Sequence, residues 1–411
     1  MRVRFRVCGA ALACLAVMLI SSPLPAEELT LPRAVEMAIN NNPTVAAGRL
    51  SAEAARQSAK GARALANPEI VVAPSIAGNA GSDSAVLFSQ PLEINGSRSV
   101  RGEIASREAT AADFDANATR RDIVLRVSLS YWDVARAQEL VKVNQENVSY
   151  LDTVRAAVQK QHDVGAVPGA QLLKMDVELA RARQELAQAQ LVLSQVKYEM
   201  NSLLARPTDT SFTVSESLAF SEAPFDRGAL LASALNNRPE IASARAQFSA
   251  AQGEIKAARL RRVPDLALQA RKESFDSSDT NGGVAIAISL PVLDWGSAGA
   301  EKRRAQIAAQ SREKQLEAVR NGVSLDVEQA IQRVNTASQV VREYQGGVVA
   351  KSEELATMAR KGYEKGANSY LELLEAQRTL RSVRSDYYSA LAEHAKALAQ
   401  LEWAAGGQQS K

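Results

Sequence analysis

The clearest pattern along the chain is an apolar step of three and four. Leu172, Met175, Leu179, Ala182, Leu186, Ala189, Leu193, Val196, Met200 and Leu203 follow one another at that step without a break. Leu373, Ala376, Leu380, Val383, Tyr387, Ala390, His394, Ala397 and Leu401 do the same. An apolar position about every 3.5 residues is the seam of a coiled coil. The second series is the first, from Leu172 to Met200, moved by 201 positions. The chain therefore holds two copies of one helix.

A Gly/Pro break precedes each seam. One is Gln161 to Leu173, with Gly165, Pro168 and Gly169; the other is Lys361 to Leu374, with Gly362 and Gly366. Before each break the pattern predicts one uninterrupted helix, from Ser97 to about Asp163 and from Ser297 to about Lys365, with Ser97 and Ser297 as N-caps. At ~1.5 Å per residue each is on the order of 100 Å long. The first carries two apolar stripes. One holds Val127, Tyr131, Val134, Val141 and Val148; the other holds Leu125, Leu129, Trp132, Leu140, Val143 and Val154. Two stripes require neighbours on both sides, as in the wall of a tube.

Period two marks the strands. Val284, Ile286, Ile288 and Leu290 point one way, and Ala285, Ala287 and Ser289 the other. Leu266 to Arg271 pairs with this strand across the turn Asp276 to Gly283. A weaker pair covers Glu69–Ile76 and Ala85–Ile94, joined by 78–83. A helix of roughly 30 residues, ended by Pro68 or Pro264, precedes each pair. Pro43 and Pro239 are offset by 196, Gly96 and Gly296 by 200, Gly165 and Gly366 by 201, a drift that fits small loop insertions. The predicted organisation is a first repeat over 27–205, a connection without helical period over 206–227, and a second repeat over 228–405. Within them lie strand pairs at about 69–94 and 265–291, long helices 97–163 and 297–365, tips 164–170 and 366–370, and return helices 171–205 and 371–405. A disordered tail is expected over 406–411.

Composition narrows the class. Aromatic residues are only 5 %, which favours long helices with narrow seams over a thick core. The net charge of +3 argues against a nucleic-acid surface. Arg2, Arg4 and Arg6 followed by the apolar run Val7 to Ile20 read as a signal peptide over 1–26, cleaved after Ala26. It contains both cysteines, Cys8 and Cys14. Cys14 is a poor lipid-attachment site, because most of the apolar run should precede such a cysteine. His162 and His394 stand apart, with no mature cysteine, so no metal-ligand cluster and no cofactor site is expected. His394 sits at a seam position and reads as packed; His162 precedes a turn and reads as exposed. Asn95 to Gly102 lacks the Lys-Ser/Thr end of a phosphate loop. Trp132 and Trp403 read as packing residues, and Trp295 as part of an interfacial girdle. No catalytic constellation is present, so the chain is not read as an enzyme.

Four strands of this length can cross a bilayer only within a closed barrel. The smallest such barrels have about eight strands. If the strands are in a membrane, several chains share one barrel, with the Val/Ile face toward lipid. The competing reading is a soluble periplasmic coiled-coil adaptor or scaffold.

At this point the chain resembles the TolC-type outer-membrane efflux channels. The resemblance rests on helix, strand pair, long helix, turn and helix occurring twice. It rests also on Val164-Gly165-x-Val167-x-x-x-Gln171-Leu172-Leu173 and on Gly366-x-x-Ser369-x-x-Glu372-Leu373-Leu374-Glu375-Ala376. It implies a mainly α fold with a small β part: a long periplasmic α-helical barrel plus four strands per chain of a 12-stranded outer-membrane barrel shared by a homotrimer. The implied partners are a periplasmic adaptor, an inner-membrane RND pump and outer-membrane lipid. Tyr363, Glu372 and Glu375 occupy the family's gate positions. Val164, Gly165, Val167, Pro168, Leu172, Gly366, Ser369 and Leu373 occupy the adaptor-docking tips. Asn368 and Gln171 stand where the best-known member has arginine and aspartate. The stretch Ser89-Gln90-Pro91-Leu92-Glu93-Ile94-Asn95-Gly96-Ser97-Arg98-x-x-Arg101 is similar to one in CzcC-like heavy-metal channels, departing at Asn95 and Ser97. Multidrug efflux and type I protein secretion are the alternatives.

Overall fold

The computed structural model describes residues 27–73, 84–222, 224–275, 279–290 and 295–407. The signal segment with both cysteines, the strand extension over 74–76, the loop 78–83 and tail residues 408–411 lie outside the described residues. The first half holds β1 (Glu27–Leu29), α1 (Leu31–Asn41), α2 (Pro43–Ala62), β2 (Glu69–Ala73), β3 (Ser84–Leu92), α3 (Ser97–Asp163) and α4 (Gly169–Leu203). The connection carries β4 (Phe212–Val214). The second half holds α5 (Arg227–Asn237), α6 (Pro239–Leu260), β5 (Asp265–Phe275), β6 (Asp279–Ser289), α7 (Ser297–Glu343), a π-helical turn (Tyr344–Val348), α8 (Val349–Glu364) and α9 (Tyr370–Ala404). The repeated layout read from the sequence is present, with four corrections.

Each opening helix is two helices. Asn42 and Arg238 turn extended, at ψ 123° and 125°, directly before Pro43 and Pro239. Proline disfavours helical backbone in the residue before it. The second helix of each pair ends at Ala62 or Leu260, short of Pro68 or Pro264. The N-caps of the long helices are Gly96 and Gly296, at φ 84° and 88°, where glycine is favoured. Ser97 follows the cap, and its backbone N–H donates to Asn95 Oδ1 at 3.0 Å. The connection also has structure: β4 pairs with β1 in parallel. Tyr131 on α3 donates its hydroxyl to the Leu29 carbonyl at 3.0 Å beneath that pair.

The fourth correction concerns the drift in offset. Between the caps the copies differ by 200 positions, and at the tips by 201. The additional residue lies inside the helix. α3 is continuous, whereas the second long helix is interrupted by the π turn, where Gly347 takes φ 138°. A π turn bonds i to i+5 and so absorbs one extra residue. Burial shows the register change. Ile123, Val127, Tyr131 and Val134 match buried Val323, Val327, Ile331 and Val334 at an offset of 200. Below the turn, Leu151 and Val158 match buried Ser352 and Ala359 at 201.

The strands form one antiparallel sheet, β2-β3-β5-β6. Phe88 faces Ile70 and Ala270, and Leu268 faces Ile286, so these share one apolar face with Val86, Leu92 and Ile288. Ala85, Ser89, Gln269, Ala285 and Ala287 share the other. The eleven residues of β5, at ~3.4 Å each and tilted by ~40°, reach about 28 Å, near the thickness of a bilayer's hydrocarbon core. No helix among the described residues is long and apolar enough to cross a membrane.

The helices form a row rather than a closed bundle. Near the sheet, α3 lies between α2 and α6, and α6 meets α7; near the tips, α3 lies between α4 and α9, and α9 meets α8. The two stripes of α3 thus have the two neighbours expected. The row ends on exposed apolar flanks: Leu173, Val177, Leu191 and Tyr198 on α4, Leu355 and Met358 on α8. The β2 and β6 edges are open as well. Trp132 packs edge-on against Tyr131, and Trp403 stacks under Arg238, as packing residues do. His394 is buried against Phe220. Trp295, 92 % exposed, stands beyond β6 at the helix end of the sheet.

Candidate functional site at the hairpin tips

Both tips end in the same hydrogen-bonded turn. Ala166 N–H donates to the Gln161 carbonyl at 2.8 Å, and Ala367 N–H to the Gly362 carbonyl at 2.8 Å. Gly165 and Gly366 sit inside these turns at φ 74° and 73°. This is the Schellman pattern, which needs a left-handed residue and so selects glycine. It reverses the chain in a few residues and makes a narrow end.

Tyr363 joins the two tips. Its hydroxyl donates to Gln161 Oε1 at 3.3 Å and accepts from Gln171 Nε2 at 3.2 Å. Gln171 therefore reaches Tyr363 without an acid's charge. The Tyr363 ring lies 6.3 Å from that of Tyr370, whose hydroxyl reaches Met175 Sδ at 2.8 Å. Burial pushes the Tyr363 phenol up. Burial, aided by the Glu178 charge, pushes Tyr370 up to about 12. Both remain neutral near pH 7 and can donate. Tyr370 and Gln161 were not singled out from the sequence. Aligning the copies exposes Tyr370, because it replaces Gly169 beside the residue matching Tyr363, His162.

The two acids differ in their surroundings. Glu372 closes a capping box: its carboxylate accepts from Ser369 N–H at 2.9 Å, and Ser369 Oγ accepts from Glu372 N–H at 3.2 Å. Glu375 is exposed one turn further on, at the position of Lys174 in the first copy. Above them Arg378 pairs with Glu178 and Arg381 with Glu185, tying α9 to α4.

Among the tip residues, Val164, Gly165, Pro168, Gly366 and Ser369 are exposed, and Val167 and Leu172 are half-buried. Leu373 is not available for docking. It is 2 % exposed and packs with Ala359, Ala376 and Tyr363, because the seam turns it inward. His162 is half-buried rather than exposed: its Nδ1 lies 3.1 Å from the Val167 carbonyl, with its ring over Gly169.

The stretch around Gln90 to Arg101 is a junction between sheet and helices. Gln90 Nε2 donates to the Ala66 carbonyl at 2.8 Å. Arg101 pairs with Glu93 at 2.5 Å and donates to the Ala62 and Ala64 carbonyls. That guanidinium holds the Glu93 carboxyl below the usual carboxylate range. These residues fix the end of α2 to the start of α3.

Comparison with known proteins identifies the architecture. Residues 34–205 and 230–407 match the outer membrane efflux protein family model. The cobalt-zinc-cadmium resistance protein CzcC of Cupriavidus metallidurans is 26 % identical over 371 residues, covering 89 % of this chain and 87 % of that protein. The pyoverdine export outer membrane protein OpmQ of Pseudomonas aeruginosa is 24 % identical, covering 71 % and 63 %. The solved structure of CusC superposes with a TM-score of 0.79 at 20 % identity, covering 94 % and 96 % of the two chains. With the family model matching both halves of the layout, the chain belongs to the outer membrane efflux protein family, whose members are outer-membrane channels with a long periplasmic helical part.

Proposed function

We propose that the chain, as a homotrimer, is the exit duct of a tripartite efflux system. It passively conducts heavy-metal cations delivered by an inner-membrane RND pump and a periplasmic adaptor. The observation that carries the metal reading is the end-to-end likeness to CzcC. A ring of chains is supported by the open ends of every layer: among the described residues, the β2 and β6 edges, the α4 flank and the α8 flank all lack partners within one chain. Joining one end to the other head-to-tail closes a ring. Three chains supply twelve strands. Export of a siderophore or drug is the second reading, favoured by the likeness to OpmQ. Deleting the gene and titrating zinc, cobalt, cadmium, copper and several antibiotics separates the two. Sensitivity to the metals alone is expected, and sensitivity confined to antibiotics refutes the metal cargo.

Glu372 and Glu375 are the cation-attracting ring of the gate, Tyr363 ties its tips, and Val164, Gly165, Val167, Pro168, Leu172, Gly366 and Ser369 meet the adaptor. Acids around a narrow opening raise the local cation concentration. Glutamine serves the third position of a capping box as glutamate does, so Glu372→Gln removes the charge and keeps the cap. The Glu372→Gln/Glu375→Gln channel is expected to lose cation selectivity and divalent-ion block in single-channel recordings. Unchanged values of both would refute the ring.

A further inference from the structure

The net charge of +3 conceals a local excess. The four segments where sheet meets helices, 60–66, 96–107, 256–264 and 296–307, hold twelve Lys/Arg and two Asp/Glu, whereas the whole chain holds 49 and 46. The structure gathers these segments at one level. Arg98 Nε donates to the Arg63 carbonyl at 2.6 Å, Lys256 pairs with Glu103 at 3.3 Å, and Arg262 lies over Gly299. One part of this belt is concave. A cleft of about 640 Å³ is lined by Arg63, Arg98, Ser99, Glu103, Ser106 and Arg107. The Arg63 side chain lies across Gly102, where a Cβ would sit 2.6 Å from its Cγ. Among the described residues Arg63 and Arg107 have no ion-pair partner, and Glu103 is engaged by Lys256.

The cleft's height and direction identify its ligand. The apolar sheet face runs through Leu92 to Ile94, and Arg98 follows within one turn. From Arg98 to Arg107 the helix rises about 14 Å. The cleft therefore lies just outside the hydrocarbon, at headgroup height on the periplasmic side. Ser99 and Ser106 continue, by helical steps, to Tyr131, which packs with Leu29 of β1 and Phe212 of β4 and donates its hydroxyl to the Leu29 carbonyl, so β1 and β4 cover this face. A duct must keep its bore clear, so that covered face is the outer one and the cleft opens toward the membrane surface.

We infer that this cleft binds the phosphodiester headgroup of an anionic phospholipid in the periplasmic leaflet. Arg63, Arg98 and Arg107 supply charge-assisted donors, and Ser99 and Ser106 supply hydroxyls. The ligand is the lipid, with its tails against the apolar strand face, and the site anchors the duct's height in the membrane. The inference rests on the outer-membrane location and is independent of what the channel exports.

The test uses the full-length, delipidated oligomer in detergent, with phosphatidylglycerol and phosphatidylethanolamine added in equal amounts and bound lipid counted by native mass spectrometry. The wild type is expected to retain phosphatidylglycerol in preference. Arg63→Gln/Arg107→Gln should weaken that lipid about tenfold or more, leaving phosphatidylethanolamine unchanged. Arg107→Gln alone disturbs no hydrogen bond among the described residues and should weaken it about threefold to fivefold. Arg320→Gln/Lys351→Gln removes equal charge outside the belt and should change nothing. Wild-type retention by both cleft variants would overturn the inference, as would equal loss in the control. Displacement of phosphatidylglycerol by millimolar inorganic phosphate would also overturn it, marking a free-anion site. Single-channel conductance of the same variants should stay at wild-type values, separating this site from the gate.

Discussion

The two hairpins share a frame and differ at the tip. The seam positions and the left-handed glycines Gly165 and Gly366 are the same. Around them, His162 over Gly169 in the first copy stands where Tyr363 beside Tyr370 stands in the second. Pro168 begins α4 without a side-chain cap, whereas Ser369 and Glu372 cap α9 from both sides. Lys174 matches Glu375. The surroundings explain the divergence. α9 is packed between α3 and α8, while α4 packs on α3, meets α9 only through side chains such as Met175 and Glu178, and leaves its other flank at the end of the row. The frame makes a hairpin, and the position of each hairpin in the row decides what its other residues do.

Leu173 and Leu374 give the strongest means of breaking this comparison, because they occupy the same repeat position. Leu374 is 5 % exposed and packs with Val148, Leu151 and Met175; Leu173 is 66 % exposed. Leu374→Ala is expected to cost about 2–5 kcal/mol, the range for a buried leucine. Leu173→Ala should change the stability of the chain by less than about 0.5 kcal/mol. Hydrogen exchange in α9 and α4 reads the first effect. For Leu173→Ala the loss should instead appear as dissociation of the oligomer at low concentration in native mass spectrometry. Equal destabilisation of the monomeric hairpin by both would remove the distinction between an inner and an outer hairpin.

The π turn offers a smaller effect with a sharper reading. Gly347→Ala places a Cβ on a residue at φ 138° and should cost on the order of 1–3 kcal/mol. Deleting Gly347 restores an offset of 200 and should give a continuous helix like α3 at less cost than the substitution. Thermal unfolding of the two variants decides. A deletion more damaging than Gly347→Ala would show that the neighbours of α8 require the turn, and that it is not merely an accommodated insertion.

Much of this was legible from periodicity. The seams, long helices and strand faces repeat patterns that burial alone imposes, so Leu172 to Met200 and its echo could be read directly. What escaped depended on single residues or on distant partners. The π turn was present in the change of offset from 200 to 201, yet a helix does not announce where it absorbs one residue, and the drift read as loop insertion. Asn42 and Arg238 break their helices through the proline that follows, a local rule that the longer apolar pattern hid. β4 is three residues long and exists because β1, some 185 positions earlier, lies beside it. At the site, Tyr363 was found by resemblance, while Tyr370 emerges only when the two tips are laid over one another. Leu373 shows the limit of a motif: it matches a docking tip and is nonetheless a seam residue.

The smallest predicted effect concerns acid and separates the two seams. His394 occupies the position of Leu193. It is 1 % exposed, and burial first, then the Arg342 charge, push its imidazole below its ordinary value. The folded state therefore favours the neutral ring. Its stabilising contribution is complete above the unfolded value of about 6.5 and declines as the pH falls below that. The decline cannot exceed about 1.4 kcal/mol per pH unit, the limit for one proton. Lowering the pH from about 7.5 to about 5 should thus reduce hydrogen-exchange protection of α9 around Ala390 to Ala397, while α4 around Leu193 is spared. His394→Leu, which copies the first seam into the second, should flatten the acid dependence of α9. Equal acid loss in the two helices, or a His394→Leu chain that still weakens in α9, would assign the effect to the carboxylate ion pairs that both hairpins carry.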